Sequence, residues 1–209
     1  MNSSNPSAHD STNVSGHDSG SNPVITFLTS RRSVTAKNMA PGQVSRADLD
    51  AILTAGLRVP DHGALKPWKL VVLQGDIRKT LDEEVILAEF MRANPDAEDK
   101  FIAIETARLQ RAHTVIAVLS SPVEHPKIVE WEMALSAGAV CTTLLYAAQS
   151  MGYAAQWLTE WYAYNDAMLT RLGGVVGHNR IAGFIYIGEK IKDPMERTRP
   201  DLYDVVRYL

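Results

Sequence analysis

The segment between residues 55 and 68 constrains the fold more than any other stretch of this chain. Its sequence is AGLRVPDHGALKPW, in which two glycines and two prolines punctuate the backbone. Because Pro60 disfavours the helical region for Val59, a regular helix is expected to stop near Arg58. The segment is therefore predicted to form a rigid loop, a place where function often lies, that presents Arg58, Asp61, His62 and Lys66. A solvated helix-to-strand connection is the alternative.

Apolar periodicity on both sides of this loop predicts an irregular alternation of helices and strands. A helix with Ser45 as its N-cap residue is expected to lead into the loop, because Leu49, Ile52 and Leu53 follow helical spacing. A buried strand at 68–73 is expected to leave it. The rest of the chain predicts strands at 114–119, 153–159 and 181–188, and helices at 23–28, 77–91, 98–110, 128–151 and 165–172.

Two further segments indicate association between copies of the chain. The middle of the predicted helix at 128–151 is nearly apolar all round, which is typical of a helix in a core or a subunit interface. The tail from Pro194 to Leu209 combines arginines with Leu202, Val205 and Val206. Such a tail is too apolar to be left in water, so the two segments together predict a symmetric homodimer.

Composition excludes several classes of protein. A net charge of −3 gives no footprint for nucleic acid or for an anionic membrane surface, and no apolar run is long enough to span a bilayer. Because Cys141 is the only cysteine, no intrachain disulfide is possible, which suits a cytoplasmic location. Residues 1–22 are polar and almost free of apolar side chains, so we expect a disordered tail there and a folded domain at 23–209.

The sequence lacks the motifs of several nucleotide-binding, hydrolytic and metal-binding proteins. The sequence contains no P-loop, no G-x-G-x-x-G after a strand and no G-x-S-x-G nucleophile elbow, and its histidines lack metal-ligand spacing. No metal site is therefore predicted. What remains is a set of scattered arginines, among which Arg31 and Arg32 precede the hydroxyl of Ser33. Adjacent guanidiniums suit a phosphate, although an arginine pair is also common at a solvated helix end.

Taken together, these pieces resemble the nitroreductase family of FMN-dependent oxidoreductases, and in particular its small, single-domain branch. The matching pattern joins R-R-S at 31–33 to A-G-x-R-x-P-D-H at 55–62 and P-W at 67–68. Further matches are W-E-x-x-x-S-A-G at 131–138, the strand that ends at Trp157, and G-F-I-Y-I-G at 183–188.

This resemblance implies an α+β fold with a central, mostly antiparallel sheet flanked by helices. It also implies an intertwined homodimer with two FMN sites at the interface. The expected activity is FMN-dependent reduction of nitroaromatics, quinones or similar acceptors by NAD(P)H, in which hydride passes through flavin N5 in a ping-pong cycle. No catalytic acid or base is expected to be essential. The alternatives are a flavin-binding redox sensor without general turnover and a specialised dehalogenating or flavin-fragmenting member of the same fold.

The resemblance also assigns cofactor-binding residues. It implies that Arg31, Arg32 and Ser33 hold the FMN phosphate and ribityl chain, and that Arg58 and His62 reach the site from the partner subunit. It further implies that one of the two tail arginines is a phosphate ligand. Relatives often carry W-R-S or W-x-T-G at the place of Trp157, Leu158 and Thr159, and Leu158 departs from that pattern. The remaining residues implied are Trp157, Leu158 and Thr159 along the isoalloxazine, and Arg197 or Arg199 at the phosphate.

Overall fold

The computed structural model describes residues 22–209, and the chain divides after Arg31 into two compact units. The first unit contains α1 (Pro23–Ser30). The side chain of Asn22 caps this helix by accepting hydrogen bonds from the backbone N–H groups of Val24 and Ile25, and Pro23 occupies its first position. The helix predicted here is confirmed. The disordered tail predicted at 1–22 lies outside the described residues, apart from Asn22.

The second unit is built on one antiparallel sheet, which has five strands among the described residues. Strand β5 lies inside the sheet and pairs with β3, with β4 and, near its carboxyl end, with β1, while β2 pairs with the far side of β3. The predicted antiparallel sheet is confirmed. The strands are β1 (Met39–Ala40), β2 (Trp68–Leu73), β3 (Thr114–Ser120), β4 (Ala154–Leu158) and β5 (Arg180–Lys190).

Strand β3 shows why the sheet needs cover on both of its faces. All seven of its residues are buried, because it has a neighbouring strand on each side and packed side chains above and below. Val115, Ala117 and Leu119 enter one hydrophobic cluster. Ile116 and Val118, which point the opposite way, enter another. A nearly continuous apolar run is therefore the correct pattern for this strand.

Two helices cover one face of the sheet. Helix α2 (Arg46–Gly56) begins at Ser45, whose hydroxyl accepts a hydrogen bond from Asp48 N–H at 3.0 Å, so the predicted N-cap is confirmed. Helix α6 (Glu130–Ser150) crosses it closely. A Cβ atom at Gly56 would lie 2.3 Å from the side chain of Leu144, so only glycine fits this crossing. The pair fixes the point from which the loop at 57–67 leaves α2.

The remaining helices are short. They are α3 (Ile77–Leu81), α4 (Ala88–Ala93), α5 (Asp99–Glu105), α7 (Asp166–Arg171) and α8 (Leu202–Val205). The helix predicted at 77–91 is confirmed as one continuous helical stretch, in which a π-helical segment, Asp82–Leu87, joins α3 to α4. The helix predicted at 98–110 is too long, because α5 ends at Glu105. Within residues 22–209, no helix is long and apolar enough to cross a membrane.

Candidate functional site

The loop between α2 and β2 is held by its own side chains. The carboxylate of Asp61 accepts hydrogen bonds from the backbone N–H groups of Leu65 at 3.1 Å and Lys66 at 2.9 Å. Gly63 has a φ of 72°, and the non-glycine residues Ala64 and Lys66 have φ values of 54° and 52°. Left-handed conformations at two non-glycine residues are strained and persist only where the surroundings enforce them, often at functional sites.

Ser136 of α6 links this loop to the start of β2 by two hydrogen bonds. Its hydroxyl donates to the carbonyl oxygen of Pro60 at 2.8 Å and accepts from the indole N–H of Trp68 at 3.2 Å. The side chain is buried, so both bonds are shielded from water. Sequence reasoning missed this role and treated the helix as packing. A hydroxyl inside an otherwise apolar helix was the available signal.

His62 lies in the middle of the loop, and Arg58 lies at its start, just after α2. The Nδ1 atom of His62 is 2.7 Å from a carboxylate oxygen of Glu132, which belongs to the first turn of α6. Both side chains are largely exposed, and Arg58 is exposed as well. The loop therefore presents a guanidinium and a hydrogen-bonded imidazole at the surface of the chain.

The segment from Arg32 to Ala36 runs beside β4. The backbone N–H of Val34 donates to Ala155 O at 3.3 Å, and that of Ala36 donates to the side chain of Gln156 at 2.6 Å. From α6, the amide of Gln149 donates to Arg32 O at 3.0 Å. Arg32 and Ser33 are thereby brought to the strand that carries Trp157 and Leu158. The two glutamines were not predicted, because a glutamine that binds backbone has no sequence signature.

A carboxylate gathers two of the predicted phosphate ligands. Glu196 Oε1 lies 2.5 Å from Arg32 Nη1 and 3.3 Å from Arg199 Nη2. The same oxygen accepts a hydrogen bond from the backbone N–H of Arg197 at 2.9 Å. These hydrogen bonds, first from Arg197 and then from Arg32, hold the pKa of Glu196 below its ordinary value. Of the two tail arginines, Arg199 is the one whose guanidinium shares an anion with Arg32.

Trp157 forms one wall of a slot between β4, β5 and α6. Its indole N–H donates to Ala182 O at 3.1 Å, and the ring passes so close to Gly183 that a Cβ there would lie 2.0 Å from Trp157 Nε1. A Cβ at Gly138 of α6 would lie 4.0 Å from the same ring. A cavity of about 510 Å³ opens beside it, lined among others by Trp131, Ala134, Gly138, Trp157, Arg180 and Ala182.

Glu160 anchors the chain just after β4, where Leu158 is half-buried and Thr159 is exposed. Its carboxylate lies 2.8 Å from Arg108 Nη1 and 3.1 Å from Arg111 Nη2. The cluster continues inward, because Arg111 lies over the ring of Tyr186 at 5.1 Å. This network was not predicted from sequence, since its members are far apart in the chain.

Two other chemistries find no support in the geometry. Within residues 22–209, no group of three or more His, Cys, Asp or Glu side chains is arranged to hold a metal ion. Cys141 is buried in the core, and burial raises the pKa of its thiol to about 12. A thiol in that environment stays protonated, so Cys141 is a packing residue, as expected from the sequence.

Helix α6 separates the predicted residues into two groups. Arg32 contacts Gln149 near the end of the helix, whereas His62 contacts Glu132 near its start. At about 1.5 Å of rise per residue, these contacts lie about 25 Å apart along the helix axis. One chain therefore brings Arg32, Ser33 and Arg199 to β4, but holds His62 near the other end of α6. Arg31 ends the first unit, where its backbone N–H donates to Phe27 O at 2.8 Å.

The chain resembles known proteins over most of its length. Its residues 28–189 match the model of the nitroreductase family. It is 30% identical over 195 residues to the protein named "Putative NAD(P)H nitroreductase YdjA" from Escherichia coli (strain K12), with 88% of this chain and 98% of that protein covered.

Solved structures share the fold. A nitroreductase-like family protein from Bacillus cereus superposes with a TM-score of 0.77 at 22% identity, covering 90% of this chain and 96% of that one. A nitroreductase with bound FMN from Bacteroides fragilis superposes with a TM-score of 0.64 at 22% identity, covering 90% of this chain and 99% of that one. The antiparallel sheet, the arginine segment beside β4 and these matches lead to one conclusion: the chain belongs to the nitroreductase family.

Proposed function

We propose that this protein is an FMN-dependent oxidoreductase that uses NAD(P)H to reduce nitroaromatics, quinones or similar electron acceptors. The observation that carries the proposal is the meeting of Arg32 and Arg199 on one carboxylate oxygen beside β4. Two guanidiniums that share one anion fit a phosphate, which prefers charge-assisted, bidentate partners. The slot beside Trp157 fits a flat ring system, so the two halves of FMN each have suitable residues.

The residues of the chain bind and orient the cofactor in this proposal. Arg32 and Arg199 hold the phosphate, with Arg31 and Ser33 assigned to the phosphate and ribityl chain from the family pattern. Trp157, Leu158 and Thr159 lie along the ring, and the ion pairs of Glu160 keep that stretch in place. The second tail arginine, Arg197, contributes positive charge nearby.

The chemistry requires little else from the protein. When bound, FMN supplies a flavin N5 that accepts a hydride from NAD(P)H and delivers it to the second substrate. The side chains provide position and electrostatics, and no acid or base among them is assigned an essential role. We place this activity in the cytoplasm, in keeping with the single cysteine.

The proposed site is completed by a second copy of the chain. His62 lies too far along α6 to act on a phosphate held by Arg32 of the same chain, so we assign it, together with Arg58 from the family pattern, to the partner's flavin. Exposed apolar side chains support the association. Trp131 and Leu135 of α6 are 69% and 54% exposed, and Leu202 in the tail is 68% exposed. Large apolar side chains this exposed favour an interaction surface, because burial against a partner removes them from water.

An absorbance spectrum of the purified protein tests the cofactor assignment. We expect a flavin spectrum that is bleached by anaerobic addition of NADPH or NADH and restored by a quinone or nitroaromatic. The flavin released by heat should be FMN. Bound FMN without turnover of any acceptor would favour the redox sensor, and a protein that binds no flavin after reconstitution would refute the proposal.

Complementation between two variants tests the shared site. If Arg32→Ala and His62→Ala each abolish activity, their co-expression should produce heterodimers with one intact site and partial activity. An Arg32→Ala variant co-expressed with a second, differently tagged Arg32→Ala chain is the matched control, and it should stay inactive. Confirmed heterodimers without activity would place both residues in a site within one chain.

A further inference from the structure

Glu196 has an unusual position for a residue of an exposed tail. Its side chain is 71% exposed, whereas the Arg32 side chain it contacts is only 13% exposed. The buried member of the pair therefore belongs to the body of the protein and the exposed member to the tail. Since long charged side chains in water change rotamer readily, the carboxylate can leave Arg32 without rearrangement of the sheet.

We propose that Glu196 is an internal competitor of the flavin phosphate: its carboxylate binds Arg32 and Arg199, and the phosphate must displace it to bind. The proposal rests on the proposed function, because it assumes that these arginines receive the FMN phosphate. It goes further by assigning the tail a role in selecting what enters the site.

Charge decides the competition. A carboxylate carries one negative charge, whereas a phosphate monoester carries about −1.5 to −2 at neutral pH and has three acceptor oxygens. A phosphate therefore outcompetes Glu196 for the two guanidiniums. A flavin without a phosphate has no group to offer them and leaves the Glu196 contacts intact. Competition by Glu196 thus weakens FMN binding by a modest factor. It also keeps the two arginines ion-paired, so that anions that bind more weakly than phosphate do not occupy them.

Titration of flavin into flavin-depleted protein tests this assignment. Glu196→Gln keeps the shape of the side chain but removes its charge, so FMN affinity should rise about two- to fivefold, the range expected for a partly exposed ion pair. Asp193→Asn is the matched control. It also removes one negative charge from the tail, but Asp193 pairs with Lys190 and contacts neither arginine in the structure. Riboflavin, which lacks the phosphate, should bind all three proteins equally.

The outcomes separate the two proposals. Tighter FMN binding in Glu196→Gln alone, with unchanged riboflavin binding, supports competition. Equal FMN affinity in both variants overturns it, and so does weaker binding in Glu196→Gln, which would make Glu196 a positioning residue for the arginines. If Arg32→Ala binds FMN as tightly as the natural chain, the phosphate assignment itself fails. That result is distinguishable because it does not depend on Glu196.

Discussion

Replacement of Ser136 with alanine should destabilise the protein through the loop that α6 fastens. The Ser136 hydroxyl makes two hydrogen bonds, to Pro60 O and from Trp68 Nε1, at a buried position. Each typical hydrogen bond contributes about 0.5–1.5 kcal/mol net, so the loss of both should lower the free energy of unfolding by about 1–3 kcal/mol. The indole N–H is left without its partner, which favours the upper part of that range.

Thermal unfolding is the appropriate assay, with every sample at the same excess of FMN because bound ligands raise the midpoint. At about 2–4 °C per kcal/mol for a chain of this size, a loss near 2 kcal/mol should lower the midpoint by about 4–8 °C. Ser150→Ala is the matched control on the same helix. Its hydroxyl is exposed and bonds only Ala147 O, at 2.9 Å, so its midpoint should change little.

A Ser136→Ala variant that unfolds at the same temperature as Ser150→Ala would refute the reasoning. It would mean that the two hydrogen bonds seen at Ser136 are replaced by water without loss. Proteolysis of the loop is a second measurement, because Ser136 holds the loop through Pro60. Cleavage within residues 58–66 should be faster in Ser136→Ala than in Ser150→Ala.

Three further predictions concern the phosphate, the slot and a buried acid. Arg32→Ala should weaken FMN binding by about 1.5–3 kcal/mol in a fluorescence titration, and Arg32→Lys should restore only part of it because lysine lacks the planar fork; full affinity in both would place Arg32 outside the site. Gly183→Ala should displace Trp157, which should lower the free energy of unfolding by about 1–3 kcal/mol and shift the tryptophan emission. Gly138→Ala should change neither, and equal behaviour of the two variants would contradict the close approach of Trp157 to Gly183. Burial raises the pKa of Asp82 to about 6, so its contribution to stability is greatest below pH 3.8 and is lost as the pH rises to about 6. Between pH 4 and pH 7, the free energy of unfolding of Asp82→Asn, measured with denaturant, should therefore rise by up to about 3 kcal/mol relative to that of the natural chain. If the free energies of the two proteins change in parallel with pH, the raised pKa of Asp82 is wrong.

Sequence patterns predicted the long elements of the fold well. Strand β3 and helix α6 are continuous apolar segments, and the N-cap of α2 has its own chemical signature at Ser45. The two-residue strand β1 has no periodicity to detect. The π-helical segment, Asp82–Leu87, was missed for a tertiary reason, because the Asp82 carboxylate bonds Leu109 N–H and Gln110 far along the chain.

Some residues of the candidate site could be predicted from the sequence and others could not. Arg32 and Trp157 belong to local motifs, so the sequence pointed to them directly. Glu196 and Glu160 act through partners far away in the chain, and no local pattern distinguishes them from solvated glutamates. Only the fold shows that Glu196 lies beside Arg32 and that Glu160 pairs with Arg108 and Arg111.

The central position of β5 has a consequence for how the protein is made. Strand β5 is the last of the five described strands in chain order, yet it supplies the partner edge for β3, β4 and β1. Until residues 180–190 leave the ribosome, the nascent chain has a β2–β3 pair with an open apolar edge and a β4 segment without a partner. Such edges pair readily with other chains, so the interval before release is the time of greatest aggregation risk. A stop codon or stall before residue 180 therefore removes the centre of the sheet and leaves a product that chaperones must hold.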